Sequence, residues 1–596
     1  MQKKYLIVLI AIIALGAFLR FYRITEIPLG LYPDEAMNGT NAQEALSTGH
    51  FKVFYPENNG REGLFINLQA ISVAAFGPTP WALRLVSAII GTLTILGIYV
   101  VTKELFSEKN DIPAQAGIQK INNWIPDQFG NDKIPKSDFP REVGLRSLNP
   151  EIIALLSAFF LAASYWHLNF SRIGFRAIVL PMMACFGMYF LLKGIRRGKP
   201  IDFILAGLFT GLGLYTYIAF RFMVFVFAVP MVIVAWQWVR ARKSDSDVSR
   251  VGLREPSHLQ SPSSKLQIPS CIPCSLALYV FVAFIVMVPI GLYFINHPQD
   301  FLNRAGEVSV FAAASPLKAF AKSAGLTLQM FFYKGDGNWR HNLAYAPELH
   351  PLVALFFLIG IITLLKSHFN RVKQAIILFI WFAAMLLPVA LTRESVPHAL
   401  RAIGMIPPVL ILAALGADRI HRAINEWVAR EKTRWPQKIM QLERIRRELM
   451  IFFLLTLLTI PLSTYRNYFL IWANNPETYS AFDTGHLHLG QYLAVLPQDT
   501  KKYVIVNTPG TMVRGIPMPS QTIMFTTDTF TDEKRFAKNF TYLLRGDADG
   551  IGIAAGQKTL ITLLDETDRA LIKTLQQKSP VLKVKVPGDF IILQNF

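Results

Sequence analysis

The strongest constraint on this chain is a series of long, uncharged apolar runs, eleven of which in the first 475 residues are each about long enough to cross a bilayer. They fall near 4–22, 81–105, 150–168, 177–193, 201–219, 221–239, 275–295, 350–366, 372–391, 401–418 and 449–472. Of the 596 residues, 52% are hydrophobic and 17% charged, against about 25% charge in a soluble domain. The fold class expected is therefore a polytopic α-helical membrane protein. The run 63–76 is too short to span and is read, with residue 77, as an interfacial or re-entrant helix inside an outer loop 23–80. Lys3 and Lys4 before an apolar run resemble a signal peptide, but no small-x-small cleavage site follows Arg20, so an uncleaved first helix is expected.

The formal charge of +20 is not that of a nucleic-acid binder, because Lys and Arg gather between the apolar runs rather than among aromatic residues on a soluble platform. With 63–77 held in the interface, the basic segments 103–146, 193–199, 240–265, 366–373 and 419–447 all fall on one side, as the positive-inside rule requires for a chain with its N-terminus inside. The loop 297–349, the turns 169–176 and 392–400, and everything after about 473 then fall outside, in the plasma (inner) membrane of a prokaryote. Inner loops 107–148 and 241–272 have the composition of flexible insertions, whereas 419–447 has helical spacing and reads as a helix on the anionic inner leaflet. Three cysteines cannot form a disulfide framework, and Cys271 and Cys274, with no second ligand pair nearby, give no zinc motif.

From about 476 the pattern changes. Segments 503–507, 522–526, 559–564, 582–586 and 590–594 are strand-like, while 532–544 and 566–578 have helical patterning, so 476–596 is expected to be a small outer α/β domain after a membrane bundle over 1–475.

Asp34 and Glu35 follow Pro33 soon after the first helix, a pattern that suits a helix first turn; the same carboxylates at a membrane surface could deprotonate an acceptor hydroxyl. Arg61 and Glu62 precede the interfacial run. Arg84, Arg172, Arg176, Arg221, Arg340, His341, His398 and Arg401 lie at or near outer helix ends, against the inside bias, and a lipid-linked phosphate would account for them. Tyr215, Tyr217, Trp339 and Tyr345 could stack on sugar rings or belong to an interfacial aromatic belt.

These residues carry a resemblance. Tyr32 to Ala36 (Tyr-Pro-Asp-Glu-Ala), Arg61 to Phe65, Trp81 to Arg84, Trp166 to Arg176 and Tyr215 to Arg221 resemble the membrane glycosyltransferases of the GT-C class, in the family 39-like branch with the protein O-mannosyltransferases and aminoarabinose transferases. The match covers roughly the first 240 residues; Gly63 and Leu64 stand where relatives have paired prolines. The resemblance implies a GT-C-like bundle and an inverting hexosyl- or pentosyltransferase that uses a polyprenyl-phosphate sugar at the outer face. Asp34 would be the general base, and Glu35 and Glu62 would orient the acceptor or hold a divalent cation. Arg61, Arg172, Arg176, Arg221 and Arg401 would neutralise the donor phosphate, and Tyr215, Tyr217, Trp339 and His341 would contact sugar or acceptor. No cofactor is fixed; if a metal takes part, hard oxygen ligands favour magnesium or manganese. The partners implied are the bilayer, the lipid-linked donor, and a glycan, lipid or protein acceptor. A transporter or flippase for a lipid-linked sugar is the alternative, and a scaffold with a binding tail a third reading. The spans carry little mid-helix charge and the acids cluster in one loop, which favours surface chemistry.

Overall fold

The structure is a computed structural model and describes residues 2–107, 148–250, 271–302, 309–366, 372–554 and 556–596. The inner insertion expected at 107–148 lies outside the described residues except for its two end residues; of that expected at 241–272, residues 241–250 instead continue a helix and 251–270 lie outside the described residues.

Each of the eleven apolar runs is a helix. They are α1 (Lys3–Phe21) and, after the outer-loop helices α2 (Pro33–Thr48) and α3 (Gly63–Phe76), α4 (Pro80–Leu105) and α5 (Pro150–Ala162). A short α6 (Tyr165–Phe170) precedes α7 (Val179–Arg197), α8 (Pro200–Gly213), α9 (Met223–Arg250) and α10 (Ile272–Asn296). After α11 (Pro298–Leu302) and α12 (Pro316–Gln329) come α13 (Pro351–Lys366), α14 (Val372–Ala390), α15 (Ile406–Arg434) and α16 (Ile439–Tyr465). Among the described residues, eight helical segments are long and apolar enough to cross a membrane. α5, α8 and α13 have 13, 14 and 16 residues, shorter than the runs that suggested them. Proline at the first helical position opens many of these helices, where its missing N–H costs nothing.

Helices meet closely where both partners are small. A Cβ on Gly360 of α13 would lie 1.8 Å from the Leu412 carbonyl of α15, and one on Gly416 would lie 1.9 Å from the Phe356 carbonyl. Backbones that pack this tightly are a common way to join helices in lipid, where apolar side chains gain little by leaving the solvent.

The basic segment 419–447 is not a separate surface helix. It prolongs α15 and α16 as a helical hairpin that turns at Trp435 and Pro436, because a residue before proline is driven out of the helical region, and Trp435 sits at φ −129°, ψ 69°. Lys432 pairs with Glu443 across the hairpin. Cys271 and Cys274 are joined as a disulfide at the start of α10.

The outer loop between α1 and α4 contains a two-stranded hairpin, β1 (Phe54–Tyr55) with β2 (Arg61–Glu62), antiparallel with Phe54 opposite Glu62. α3 is anchored to the start of α4: Ser72 donates to the Ala82 carbonyl at 2.6 Å and Gln69 to Leu83 at 3.1 Å.

The C-terminal region follows a π-helical stretch, Arg466–Trp472. It contains α17 (Pro476–Ala481), α18 (Thr484–Ala494), β3 (Lys501–Val506), a small ribbon β4 (Met512–Val513) and β5 (Ile516–Pro517), α19 (Gln521–Thr527), α20 (Asp532–Ala537), β6 (Phe540–Leu544), β7 (Thr559–Leu563), α21 (Arg569–Lys578), β8 (Lys583–Lys585) and β9 (Ile592–Gln594). Five strands form one sheet in the order β6-β3-β7-β9-β8. β3 runs parallel to β6 and β7, whereas β9 is antiparallel to β7 and β8. Strand alternation sends Val504 and Val506 to one face, packed with α18 and α19, and Ile505 to the other, packed with α21. Two expectations are corrected: 522–526 is the buried helix α19 rather than a strand, and the helical pattern of 532–544 ends at Ala537, with β6 beyond it. Met37 of α2 lies in the same core as Val504, Ile523 and Met524, so the C-terminal region packs directly on the first outer loop.

Candidate active site

α2 starts at Pro33, with Tyr32 as its N-cap and both acids in its first turn. The half-buried Asp34 faces a cavity and accepts a 2.5 Å hydrogen bond from the Asn58 amide. Glu35 is fully buried: Arg84 donates to both its oxygens at 2.9 Å, and the Gly174 N–H adds a third bond at 2.8 Å. Arg84 also donates to the Pro28 and Gly30 carbonyls, fixing the chain that leads into α2.

The cavity has a volume of about 1070 Å³, and its walls come from α2, the β1–β2 hairpin, and the segments 175–176, 217–222, 300–301, 309–311, 326–345 and 388–401. Segments that the charge pattern assigns to one side of the membrane thus meet around one space. α6 helps to set two of them, as Trp166 donates to the Ala399 carbonyl at 3.0 Å and Asn169 to that of Arg340 at 2.9 Å.

Charged residues of both signs line it, six Arg and Lys beside the five acids Asp34, Glu62, Asp300, Asp336 and Glu394. Arg61 is buried and donates to Asn38 Oδ1 at 2.7 Å and to Asn41 Oδ1; burial and nearby Arg176 push its guanidinium down to about 10. Arg176 pairs with Glu62 at 2.8 Å and lies over the Tyr217 ring at 5.6 Å. Arg221 sits over Phe301 at 4.1 Å, and Arg401 donates to Thr392 Oγ1 at 2.9 Å and to the Glu394 carbonyl at 3.0 Å. Lys334 and Arg340 also line the cavity. Burial, then Asp34 and Glu35, raise the Tyr32 phenol well above its ordinary value, so at this wall it stays protonated.

Of the residues singled out in the sequence, Asp34, Arg61, Glu62, Arg176, Tyr217, Arg221, Arg340, His341, Tyr345, His398 and Arg401 line this cavity; Glu35, Arg84, Arg172, Tyr215 and Trp339 do not. Glu35 is neutralised by Arg84. Arg172 donates to the carbonyls of Leu19 (3.1 Å), Arg20 (2.7 Å) and Ile27 (3.0 Å) and stacks near Tyr468 and Phe469, so it clasps the end of α1. Tyr215 donates to the Val286 carbonyl of α10 at 2.7 Å. Trp339 packs in a cluster with Tyr468 and Trp472 and accepts the Trp472 indole N–H on its carbonyl at 2.8 Å.

Sequence reasoning missed Asp336, whose signal was an acid between glycines five residues before His341. Asp336 Oδ1 accepts from the Asn338 N–H at 2.9 Å; Oδ2 accepts from the Ala399 N–H at 2.9 Å and contacts His341 Nδ1 at 2.9 Å. His398 Nδ1 is 3.9 Å from the same oxygen, and the two imidazoles are 4.7 Å apart. Burial, followed by His341, Arg401 and Arg340, lowers His398 well below the usual histidine value, so it is a neutral imidazole. This trio is where the described residues could hold a metal. It differs from the oxygen-only set expected around Glu35 and Glu62, both of which face arginines instead.

Comparison with known proteins adds a frame. A family model described as dolichyl-phosphate-mannose-protein mannosyltransferase matches residues 144–250, the part from α5 to α9. Among solved structures, the chain is similar to ArnT from Cupriavidus metallidurans bound to undecaprenyl phosphate, with 14% identity and a TM-score of 0.53 over 100% of this chain and 99% of that one. The fold is that of the GT-C membrane glycosyltransferases. The apo structure of the same ArnT gives 14% identity and 0.53 over 100% and 98%. The oligosaccharyltransferase of Archaeoglobus fulgidus, apo, gives 14% and 0.44 over 88% and 64%, a likeness too distant to argue from. No curated protein matches the sequence. In this GT-C fold the cavity is bordered by both Asp34 and the matched segment's Arg176, Tyr217 and Arg221.

Proposed function

We propose that the chain is an inverting glycosyltransferase that moves a sugar from a polyprenyl-phosphate carrier to an acceptor hydroxyl at the outer face of the plasma membrane. The observation that carries this reading is the half-buried Asp34 on the wall of a cavity that Arg176, Arg221 and Arg401 also line. The likeness to a protein solved with undecaprenyl phosphate supports the lipid-linked donor. In this reading residues 1–475 are the catalytic bundle and 476–596 an outer domain.

Asp34 takes the acceptor proton as the acceptor oxygen bonds to the anomeric carbon and the bond from that carbon to the phosphate oxygen breaks. The departing phosphate charge meets Arg176, Arg221 and Arg401. A polyprenyl phosphate is already a fair leaving group, so the protein's tasks are positioning, deprotonation and charge stabilisation. The Asn58 amide fixes the direction of the Asp34 carboxyl group in the first turn of α2.

The test is sugar transfer by membranes holding wild type or Asp34→Asn at matched expression, from a labelled polyprenyl-phosphate donor pool. Loss of about 100-fold or more with donor binding retained is expected. Equal transfer would remove Asp34 as base. Donor movement across the bilayer without transfer by either protein would replace the transferase reading with a flippase.

A further inference from the structure

The transfer chemistry leaves Asp336, His341 and His398 without a task, although all three line the cavity and are 4%, 6% and 9% exposed. We propose that they bind a first-row transition-metal ion, zinc foremost, in the cavity wall. Their donor atoms all lie within 4.8 Å of one another. Tetrahedral ligands about 2.0–2.1 Å from zinc stand roughly 3.4 Å apart; the Asp336–His341 and Asp336–His398 contacts, 2.9 Å and 3.9 Å, bracket that spacing. The donor atoms of the two imidazoles, whose centroids are 4.7 Å apart, would have to draw closer by about an ångström around an ion, a shift that side-chain rotation can supply.

The trio is also held ready. Both Asp336 oxygens are oriented by backbone N–H donors from Asn338 and Ala399, the kind of outer support that metal-ligating carboxylates use. The His341 ring is held by Phe170 and Phe175 at 5.8 Å and 6.1 Å. Behind Asp336, its own N–H donates to one oxygen of the buried Glu348, and the other Glu348 oxygen has no hydrogen-bond partner among the described residues. A cation at the trio would answer that buried acid.

Two imidazoles with one carboxylate suit zinc and its first-row neighbours, whereas magnesium and calcium prefer all-oxygen sets. Three protein ligands beside an open cavity leave a fourth position for water or an anionic oxygen. The ion would also pin the segment 336–341 to the turn at 398.

The experiment uses the full chain purified in detergent with a tag free of histidine. Metal analysis of wild type should find about one zinc per chain. After chelation, cobalt(II) titration should restore about one ion per chain, with the visible absorption of a tetrahedral nitrogen–oxygen site. His341→Ala and His398→Ala should weaken cobalt binding at least 100-fold, while Asp34→Asn binds as wild type does. No stoichiometric ion and no cobalt spectrum in wild type would overturn the site without any variant having to fold. A spectrum unchanged in both histidine variants would overturn it too, since the ion would lie elsewhere. Metal content is read independently of transfer, so failure of the transferase reading leaves this result standing.

Discussion

Successive residues of an α-helix point about 100° apart, and in the first turn of α2 that angle separates two carboxylates into different work. Asp34 looks into the cavity; Glu35 looks into protein and is locked to Arg84. Removing one partner of a buried pair strands the other, a loss of about 3–5 kcal/mol. Arg84→Met should therefore lower the thermal midpoint in detergent markedly, whereas Asp34→Asn should melt within about 0.5 kcal/mol of wild type. A normal melt for Arg84→Met would mean the pair is not holding the loop. The acids themselves were legible in the sequence, but their division was not, because Arg84 lies 49 residues beyond Glu35. Arg172 misled for a related reason. An outer arginine suggests phosphate, yet this one spends its donors on the carbonyls of Leu19, Arg20 and Ile27. Residue type announces a charge, while only the fold supplies its partner.

At the scale of elements, apolar run length locates the helices of all eleven runs, since a run of such length in lipid has no other way to satisfy its backbone, whereas α12 (Pro316–Gln329) lies within the expected loop 297–349. Short buried pieces are harder. Ile523, Met524 and Phe525 of α19 are each 0% exposed, so no polar face marks the period, and the β-branched composition points to a strand. The hairpin of α15 and α16 shows the opposite failure: helical spacing runs through 419–447, and one proline decides that it is two helices. The α13–α15 crossing gives a direct test. Gly360→Leu places a side chain where the Leu412 carbonyl already lies, 1.8 Å from the new Cβ. Overpacking of this kind costs about 1–3 kcal/mol or more, so a lower melting midpoint and a smaller monodisperse fraction on size exclusion are expected. Gly291→Leu, where a Cβ meets nothing within 4 Å, is the control that should behave as wild type.

Over the whole molecule, the first outer loop and the last segment of the chain share one core. Met37 packs among Val504, Ile523 and Met524, and Gly39 leaves room for the Phe525 ring, which a Cβ there would meet at 2.4 Å. Arg514 reaches back to Glu44 at 2.8 Å and to Glu57 at 3.3 Å. Phe525→Ala should cost about 3–5 kcal/mol and loosen α2, read as new protease cleavage between Gly49 and Gly60 and as a fall in transfer without any change at Asp34. Unchanged protection would show that the loop stands without its cover. The order of synthesis gives this contact a further meaning. Residues 33–48 leave the ribosome early, and the C-terminal groups that cover them some 480 residues later, so a partly made or truncated protein holds Asp34 and Glu35 by Asn58, Arg84 and Gly174 alone, without that cover. Completion of the polypeptide becomes the event that backs one wall of the cavity from behind.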